Sequence, residues 1–201
     1  MVEKIKNIAN LTTEELGRLF PIEIVPYNQK WKELFERENK RIREKLGRNT
    51  ALRTEHFGST AVEGLSAKPI IDILVEIPPL TQELKSEIIK KMADMNYHFI
   101  WRTDEEIPYT HFVKGYTNDG FKEDVFHIHM GEKNHALWDR IFFRDFLRLN
   151  KSLANEYEKL KIELAKKYKF NREHYTNAKT DFVKRITAEA KKRLQGKQAT
   201  R

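Results

Sequence analysis

Residues 55–76 read Glu55-His56-Phe57-Gly58-Ser59-Thr60-Ala61-Val62-Glu63-Gly64-Leu65-Ser66-Ala67-Lys68-Pro69-Ile70-Ile71-Asp72-Ile73-Leu74-Val75-Glu76. A short strand ends in Gly-Ser-Thr, a compact turn with a second glycine follows, and a β-branched run with an embedded carboxylate opens after Lys68-Pro69. Gly58 lets the backbone approach a ligand with no Cβ in the way. Ser59 and Thr60 bring hydroxyls and backbone N–H groups to the start of a helical turn, a place that suits phosphate. Twelve residues separate Ser59 from Asp72, enough for one helical turn and a return into a neighbouring strand. The corner and the Asp72 carboxylate can then share one ligand.

The stretch resembles the signature of the GrpB family, which reads like His-x-Gly-Ser-Thr-x-Val-x-Gly-Leu-x-Ala-Lys-Pro-Ile-Ile-Asp. That family in turn resembles the nucleotidyltransferase superfamily built around polymerase-β-like domains. The likeness continues through Phe126-His127-Ile128-His129, Phe143 to Arg148, Tyr157 to Lys161 and Tyr175 to Phe182, covering about residues 22–186. It implies an α/β fold (α+β in its segregation): a nucleotidyltransferase-like mixed β-sheet with flanking helices and a C-terminal helical layer. One departure bears on the chemistry: the superfamily pairs its first carboxylate with another two residues on, where this chain has Leu74.

The chain has 201 residues, of which 34% are charged and 39% apolar, with twelve Phe, seven Tyr and three Trp spread along it. That composition argues for a folded globule rather than disorder. A net charge of +8 favours an anionic partner such as a nucleotide, a nucleic acid or an acidic surface, or else reflects a solvated basic face. The absence of Cys excludes disulfides, thiolate catalysis and Cys-ligated zinc. The N-terminus lacks the apolar core of a signal peptide, and the longest apolar run is broken by Asp72 and Glu76, so a cytoplasmic location with no membrane partner is the expectation.

Residues 1–20 read as an N-terminal helical extension with a Thr12/Glu15 capping box. Residues 21–194 read as one domain, with a sheet-rich core over 21–133 and a helical layer over 134–194. Residues 195–201 read as a flexible tail. Within the core, a brief strand at 22–25 precedes a helix capped by Asn28 and stopped by Gly47. Strands over 52–57 and 70–77, a helix after Thr81, and strands over 97–102, 110–116 and 121–130 follow. The layer reads as three helices near 134–149, 151–169 and 176–194.

Asp72, Leu74 and Glu76 alternate along one strand and share a face, so Asp72 and Glu76 are candidate oxygen ligands for magnesium. The alternatives are a structural acceptor for the turn and a solvated strand end. His127 and His129 likewise share a face, and the resemblance places them where the superfamily carries its third carboxylate. The superfamily likeness implies a divalent metal, magnesium or manganese, whereas neutral imidazole suits zinc, nickel or iron better than magnesium, which leaves zinc open as well. His56 can donate to a phosphate or be a hydrogen-bonded core histidine. His98, His111, His135 and His174 have no comparable context. Lys68 is placed beside the mouth of the turn, where its ammonium can neutralise phosphate, and the resemblance puts Tyr175 and Lys179 in the same pocket. Arg144, Arg148 and Lys161 suit either a basic wall or ordinary helix-surface pairs.

The reading is a metal-dependent nucleotidyltransferase with Asp72, His127 and His129 catalytic. Gly58, Ser59 and Thr60 hold the outer phosphates of an NTP, and a nucleoside monophosphate is moved to an acceptor. The alternatives are a catalytically inactive module that binds a nucleotide or phosphorylated small molecule, and a basic RNA-contacting accessory domain.

Overall fold

Alternating apolar residues in two stretches far apart in sequence, Ile71-Ile73-Val75 and Phe126-Ile128-Met130, pack together at the centre of the sheet in the computed structural model, which describes residues 12–102 and 109–196. In chain order the elements are α1 (Thr13–Leu19), α2 (Lys30–Leu46), β1 (Arg53–Phe57), a 3₁₀ turn (Ser59–Ala61), β2 (Ile70–Glu76) and α3 (Gln82–Ala93). Then come β3 (His98–Arg102), β4 (Tyr109–Thr117), β5 (Gly120–Gly131), a 3₁₀ turn (Ala136–Trp138), α4 (Asp139–Leu149), α5 (Lys151–Lys167), α6 (Arg172–Asn177) and α7 (Thr180–Gly196). The sheet order is β1-β2-β5-β4-β3, with β2 and β5 parallel and every other neighbour antiparallel. It is a mixed sheet of the nucleotidyltransferase-like type.

One face of the sheet is sealed by α2 and α3. Trp31, Ile42, Ile88 and Met92 pack there on Ile71, Ile73, Phe112 and Ile128, all 3% exposed or less. α2 is also tied to the sheet by a polar contact: buried Glu38 accepts hydrogen bonds from Lys114 Nζ at 2.5 Å, Tyr97 Oη at 2.9 Å and Arg41 Nη1 at 2.8 Å. These donors outweigh the desolvation of the carboxylate and hold its pKa below the ordinary value.

The other face carries Asp72, Leu74, His127, His129 and His111 and lies beneath the C-terminal helices. His129 and Val125 on this face are consequently buried. Arg144 of α4 is buried and donates to Glu55 Oε2 and the His56 carbonyl, both at 2.8 Å, and Arg148 Nη2 donates to the Ala61 carbonyl at 2.7 Å. Lys161 of α5 donates to the Ser66 carbonyl, while the Ser66 N–H donates to Glu158 Oε1 at 2.8 Å. The helical layer therefore grips the chain on both sides of the 3₁₀ turn. Both arginines also pair with Asp145 on their own helix, Arg144 Nε at 2.7 Å and half-exposed Arg148 Nη1 at 3.4 Å, so the helix pairs expected from the spacing are present beside these contacts to the corner.

The expected strand at 22–25 is a single bridge, Val25 to Ala67. The expected final helix at 176–194 is two, broken between Asn177 and Thr180, with α7 running on to Gly196 into what was read as tail. Residues 197–201, and the polar connection between β3 and β4 at 103–108, lie outside the described residues. No helix among the described residues is long and apolar enough to cross a membrane.

The Thr12/Glu15 capping box is present, and α1 docks on the far end of the layer: Arg172 Nη1 donates to the Phe20 carbonyl at 3.1 Å and the Ile22 N–H to the Lys169 carbonyl at 2.8 Å. A Cβ on Gly17 would stand 1.7 Å from the Phe170 carbonyl oxygen. Gly17→Ala should raise helix propensity by about 1 kcal/mol yet displace α1, because a backbone carbonyl cannot step aside. Hydrogen exchange of the variant is expected to show lost protection confined to residues 13–22 and their contacts. Unchanged protection there would mean that α1 does not rest on this contact.

Candidate functional site

The corner at the end of β1 depends on one glycine. Gly58 has φ 72° and ψ −175°, a region populated essentially only by glycine, and a Cβ there would lie 2.2 Å from Asp72 Oδ2. Antiparallel pairing sets Phe57 opposite Asp72, so the carboxylate packs directly against the Gly58 backbone. Beyond it the chain enters the 3₁₀ turn, whose first N–H groups have no partner within the turn.

The two hydroxyls of the corner are used differently. Thr60 Oγ1 donates to the Ile70 carbonyl at 3.0 Å, so the contact between His56 Nε2 and Thr60 Oγ1 at 3.1 Å assigns the His56 proton to Nε2. His56 stacks on Phe35 of α2 at 4.8 Å, and burial pushes its pKa down to about 4. It faces the core side of the sheet, away from Asp72. His56 and the Thr60 hydroxyl thus fix the turn from beneath; they are not the phosphate donors expected from the sequence. Ser59 sits on the open side, hydrogen-bonded to the Tyr157 phenol, which burial pushes up to about 12.

Two imidazoles approach the Asp72 carboxylate, and a third, His111, adjoins them. His127 Nδ1 lies 3.7 Å and His129 Nε2 3.9 Å from Asp72 Oδ1. The register that pairs Asp72 with His127 across β2 and β5 also pairs His129 with His111 across β5 and β4. One nitrogen from each of His111, His127 and His129 lies within 4.8 Å of the others. Tyrosine hydroxyls back two rings, Tyr116 Oη 2.7 Å from His127 Nε2 and Tyr109 Oη 3.2 Å from His129 Nδ1. Burial pushes His127 down to about 3, against the opposing pull of Asp72 and with further lowering from His111, Lys68 and Arg172. A neutral ring results. The sequence reading passed over His111 because its importance comes from a strand pairing; the only local signal was its alternation with Tyr109.

Glu76 shares the face of Asp72 but stands four residues farther, about 13 Å along the strand, opposite Arg53. The two carboxylates cannot share an ion. Between them Leu74 is fully buried against Phe57, Tyr109 and Leu137. A two-magnesium centre built on paired carboxylates does not fit this donor set, in which Asp72 is joined by a leucine and imidazoles.

Cations close the opposite wall. Lys68 Nζ lies 5.1 Å and Lys179 Nζ 4.0 Å from the centre of the buried Tyr175 ring. Arg172 Nη2 donates to Tyr116 Oη at 3.1 Å. Tyr175 belongs to α6 and Lys179 to the break before α7, so they meet through a change of chain direction rather than along one helix face. Burial, reinforced by the neighbouring cations, pushes Lys179 down to about 8, Lys161 down to about 7 and Lys68 well below the ordinary lysine value. Asp72 is the one carboxylate that opposes the shift at both Lys68 and Lys179. Among the described residues none of these three lysines or Arg172 has a carboxylate within ion-pair distance. Arg172 escaped the sequence reading, and Tyr157 entered it only within a stretch of the resemblance and with no site role, since nothing local separates a buried arginine or tyrosine from a surface one.

Comparison with known proteins agrees with this architecture. The family profile described as GrpB protein matches residues 21–189. The UPF0157 protein BH1888 of Halalkalibacterium halodurans is 36% identical over 189 residues, spanning 89% of this chain and 92% of its own. The glutamate-rich protein GrpB of Alkalihalophilus pseudofirmus is 32% identical, spanning 83% and 94%. Among solved structures, GrpB from Enterococcus faecalis superposes with a TM-score of 0.75 at 28% identity, covering 86% of this chain and 99% of that one. The Cid1 poly(U) polymerase bound to magnesium and 3'-dATP superposes with a TM-score of 0.50 at 14% identity, covering 77% of this chain and 49% of that one, a likeness of fold. By its sequence profile, its relatives and its sheet, the chain belongs to the GrpB family and has the nucleotidyltransferase-like fold.

Proposed function

We propose that this protein binds a nucleoside triphosphate, its phosphates lying along Lys68, Lys179 and Arg172, and that the nucleotide is the donor in transfer of a nucleoside monophosphate to an acceptor. The observation that carries the reading is the cluster of partly desolvated cations without carboxylate partners beside the Gly58 and Asp72 corner. Keeping such charges together is unfavourable unless a polyanion completes them. In the transfer the acceptor oxygen bonds to the α-phosphorus as the bond to the bridging oxygen of pyrophosphate breaks. Lys68, Lys179 and Arg172 offset the charge gathering on pyrophosphate, and Asp72 takes the acceptor proton. The nucleotide bound by Cid1 supports the choice of ligand. Buried Leu74 favours a second reading, a nucleotide-binding module without transfer.

Calorimetry with a panel of NTPs, followed by assay for labelled pyrophosphate with added divalent ions, separates the two. Replacing Lys68 and Lys179 together by Met is expected to weaken nucleotide binding about 100-fold, at about 1.5 kcal/mol for each lost charged hydrogen bond. Unchanged affinity in a folded double variant would remove the reading.

The lysines also predict a pH signature. Between the folded values, about 7 for Lys161 and about 8 for Lys179, and the ordinary value of 10.5, the unfolded chain binds more protons than the folded one. Stability of the ligand-free protein should therefore rise with pH across that window and fall as pH drops through 8 and 7. A polyanion reverses the preference, so binding at pH 8.5 should take up protons, read as a dependence of calorimetric heat on buffer ionisation enthalpy. Heats independent of buffer would show that the lysines stay outside the ligand's field.

A further inference from the structure

We propose that His111, His127 and His129, with Asp72, form a site for one first-row transition-metal ion, of the zinc or cobalt type rather than magnesium. The inference concerns the same pocket as the nucleotide reading but does not depend on it. Three imidazole nitrogens lie within 4.8 Å of one another, and Asp72 Oδ1 lies 3.7 Å and 3.9 Å from His127 and His129. Ligand atoms around a tetrahedral ion at 2.0–2.1 Å lie about 3.4 Å apart, so bringing the three nitrogens onto one ion needs movements of about 1 Å. Two of the rings are already oriented by hydroxyls, and the His111 ring, stacked on His129, has to turn to bring its nitrogen to the ion. The Tyr116 hydroxyl engages His127 Nε2 and the Tyr109 hydroxyl engages His129 Nδ1, leaving Nδ1 of the first and Nε2 of the second toward Asp72. His111 stacks on His129 at 4.3 Å and meets His127 edge to face at 5.1 Å. All three rings stand on the paired strands β4 and β5, which hold donors more firmly than loops do. Magnesium prefers an all-oxygen shell and this set offers one carboxylate, whereas three nitrogens and one oxygen suit zinc, cobalt or nickel.

The test is cobalt titration of the full chain after chelator treatment, followed by visible absorption and metal analysis, with melting curves to establish folding. The expected result is one cobalt per chain with the intense visible bands of a low-coordinate site, kept in excess magnesium and displaced by zinc. His111→Gln, folded, should bind cobalt about tenfold more weakly or worse, with altered bands. Two results would overturn the proposal: wild-type protein that holds no cobalt in excess magnesium, or folded His111→Gln with wild-type affinity and spectrum. Should His111→Gln fail to fold, X-ray absorption of the zinc-loaded wild type decides, three imidazoles supporting the site and fewer refuting it. Inorganic triphosphate binding, measured on metal-free protein, keeps the two readings apart: its loss beside an intact cobalt site removes the nucleotide reading alone.

Discussion

Gly58→Ala is expected to lower the melting temperature by about 10 °C and, on the function proposed above, to abolish measurable binding of NTPs. Two costs add. Holding a residue with a side chain at φ 72° and ψ −175° costs about 1–3 kcal/mol. The new methyl group must also displace the Asp72 carboxylate from 2.2 Å, an overpacking cost of about 1–3 kcal/mol more. For a chain of this size each kcal/mol moves the transition by about 2–4 °C. Moving Asp72 spoils its approach to His127 and His129 as well, so ligand binding should fail even where the fold survives. Melting curves and calorimetry with NTPs check both parts. A variant with wild-type stability would show that the corner has room the structure denies it.

The second large effect is expected of Asp72→Asn. Strand alternation makes Glu76 look like a like-charged neighbour whose repulsion the amide would relieve. The structure removes that neighbour and supplies others: two imidazoles within 4 Å, and the cations Lys68 and Lys179, whose charged forms Asp72 favours. Neutralising it leaves the cluster with less opposing charge, so the ligand-free variant should lose about 1–3 kcal/mol. Inorganic triphosphate should restore part of that loss by supplying negative charge, while stabilisation by zinc or cobalt should shrink with the loss of the carboxylate ligand. Chemical denaturation with and without each addition reads all three. A gain in ligand-free stability would mean that the cations do not depend on Asp72.

Much of the scaffold is legible without coordinates because its signals are local. The capping box at Thr12, the stop at Gly47, the cap at Thr81 and the turn at Asn118-Asp119-Gly120 each fix one boundary through a side chain or a glycine acting on its own neighbourhood. Alternation likewise assigns Asp72 to one side of its strand, and His127 and His129 to one side of theirs. The errors fall where locality ends. His56 has the periodicity of a site residue, but the stacking of Phe35 and the hydroxyl of Thr60 claim it for the core. Arg144 and Arg148 have helix-surface spacing, yet reach across to carbonyls of the corner. The helix expected at 176–194 breaks at Lys179, and the break turns the ammonium onto the Tyr175 ring.

The Gly-Ser-Thr corner, the strand bearing Asp72, the paired histidines and most of the helices and strands can be read from the residues alone, because each follows from periods of 2 and 3.6 residues or from one residue's backbone preference. The tertiary structure decided what gathers around Asp72. Parallel pairing of β2 with β5 sets His127 beside it, antiparallel pairing with β4 adds His111, and the helices above deliver Lys179, Arg172 and Tyr157. Register is a property of pairs of strands, and a one-residue slip would send each side chain to the other face. It is set by burial of the opposite, apolar face of the sheet, so the site's composition depends on packing that no single segment contains.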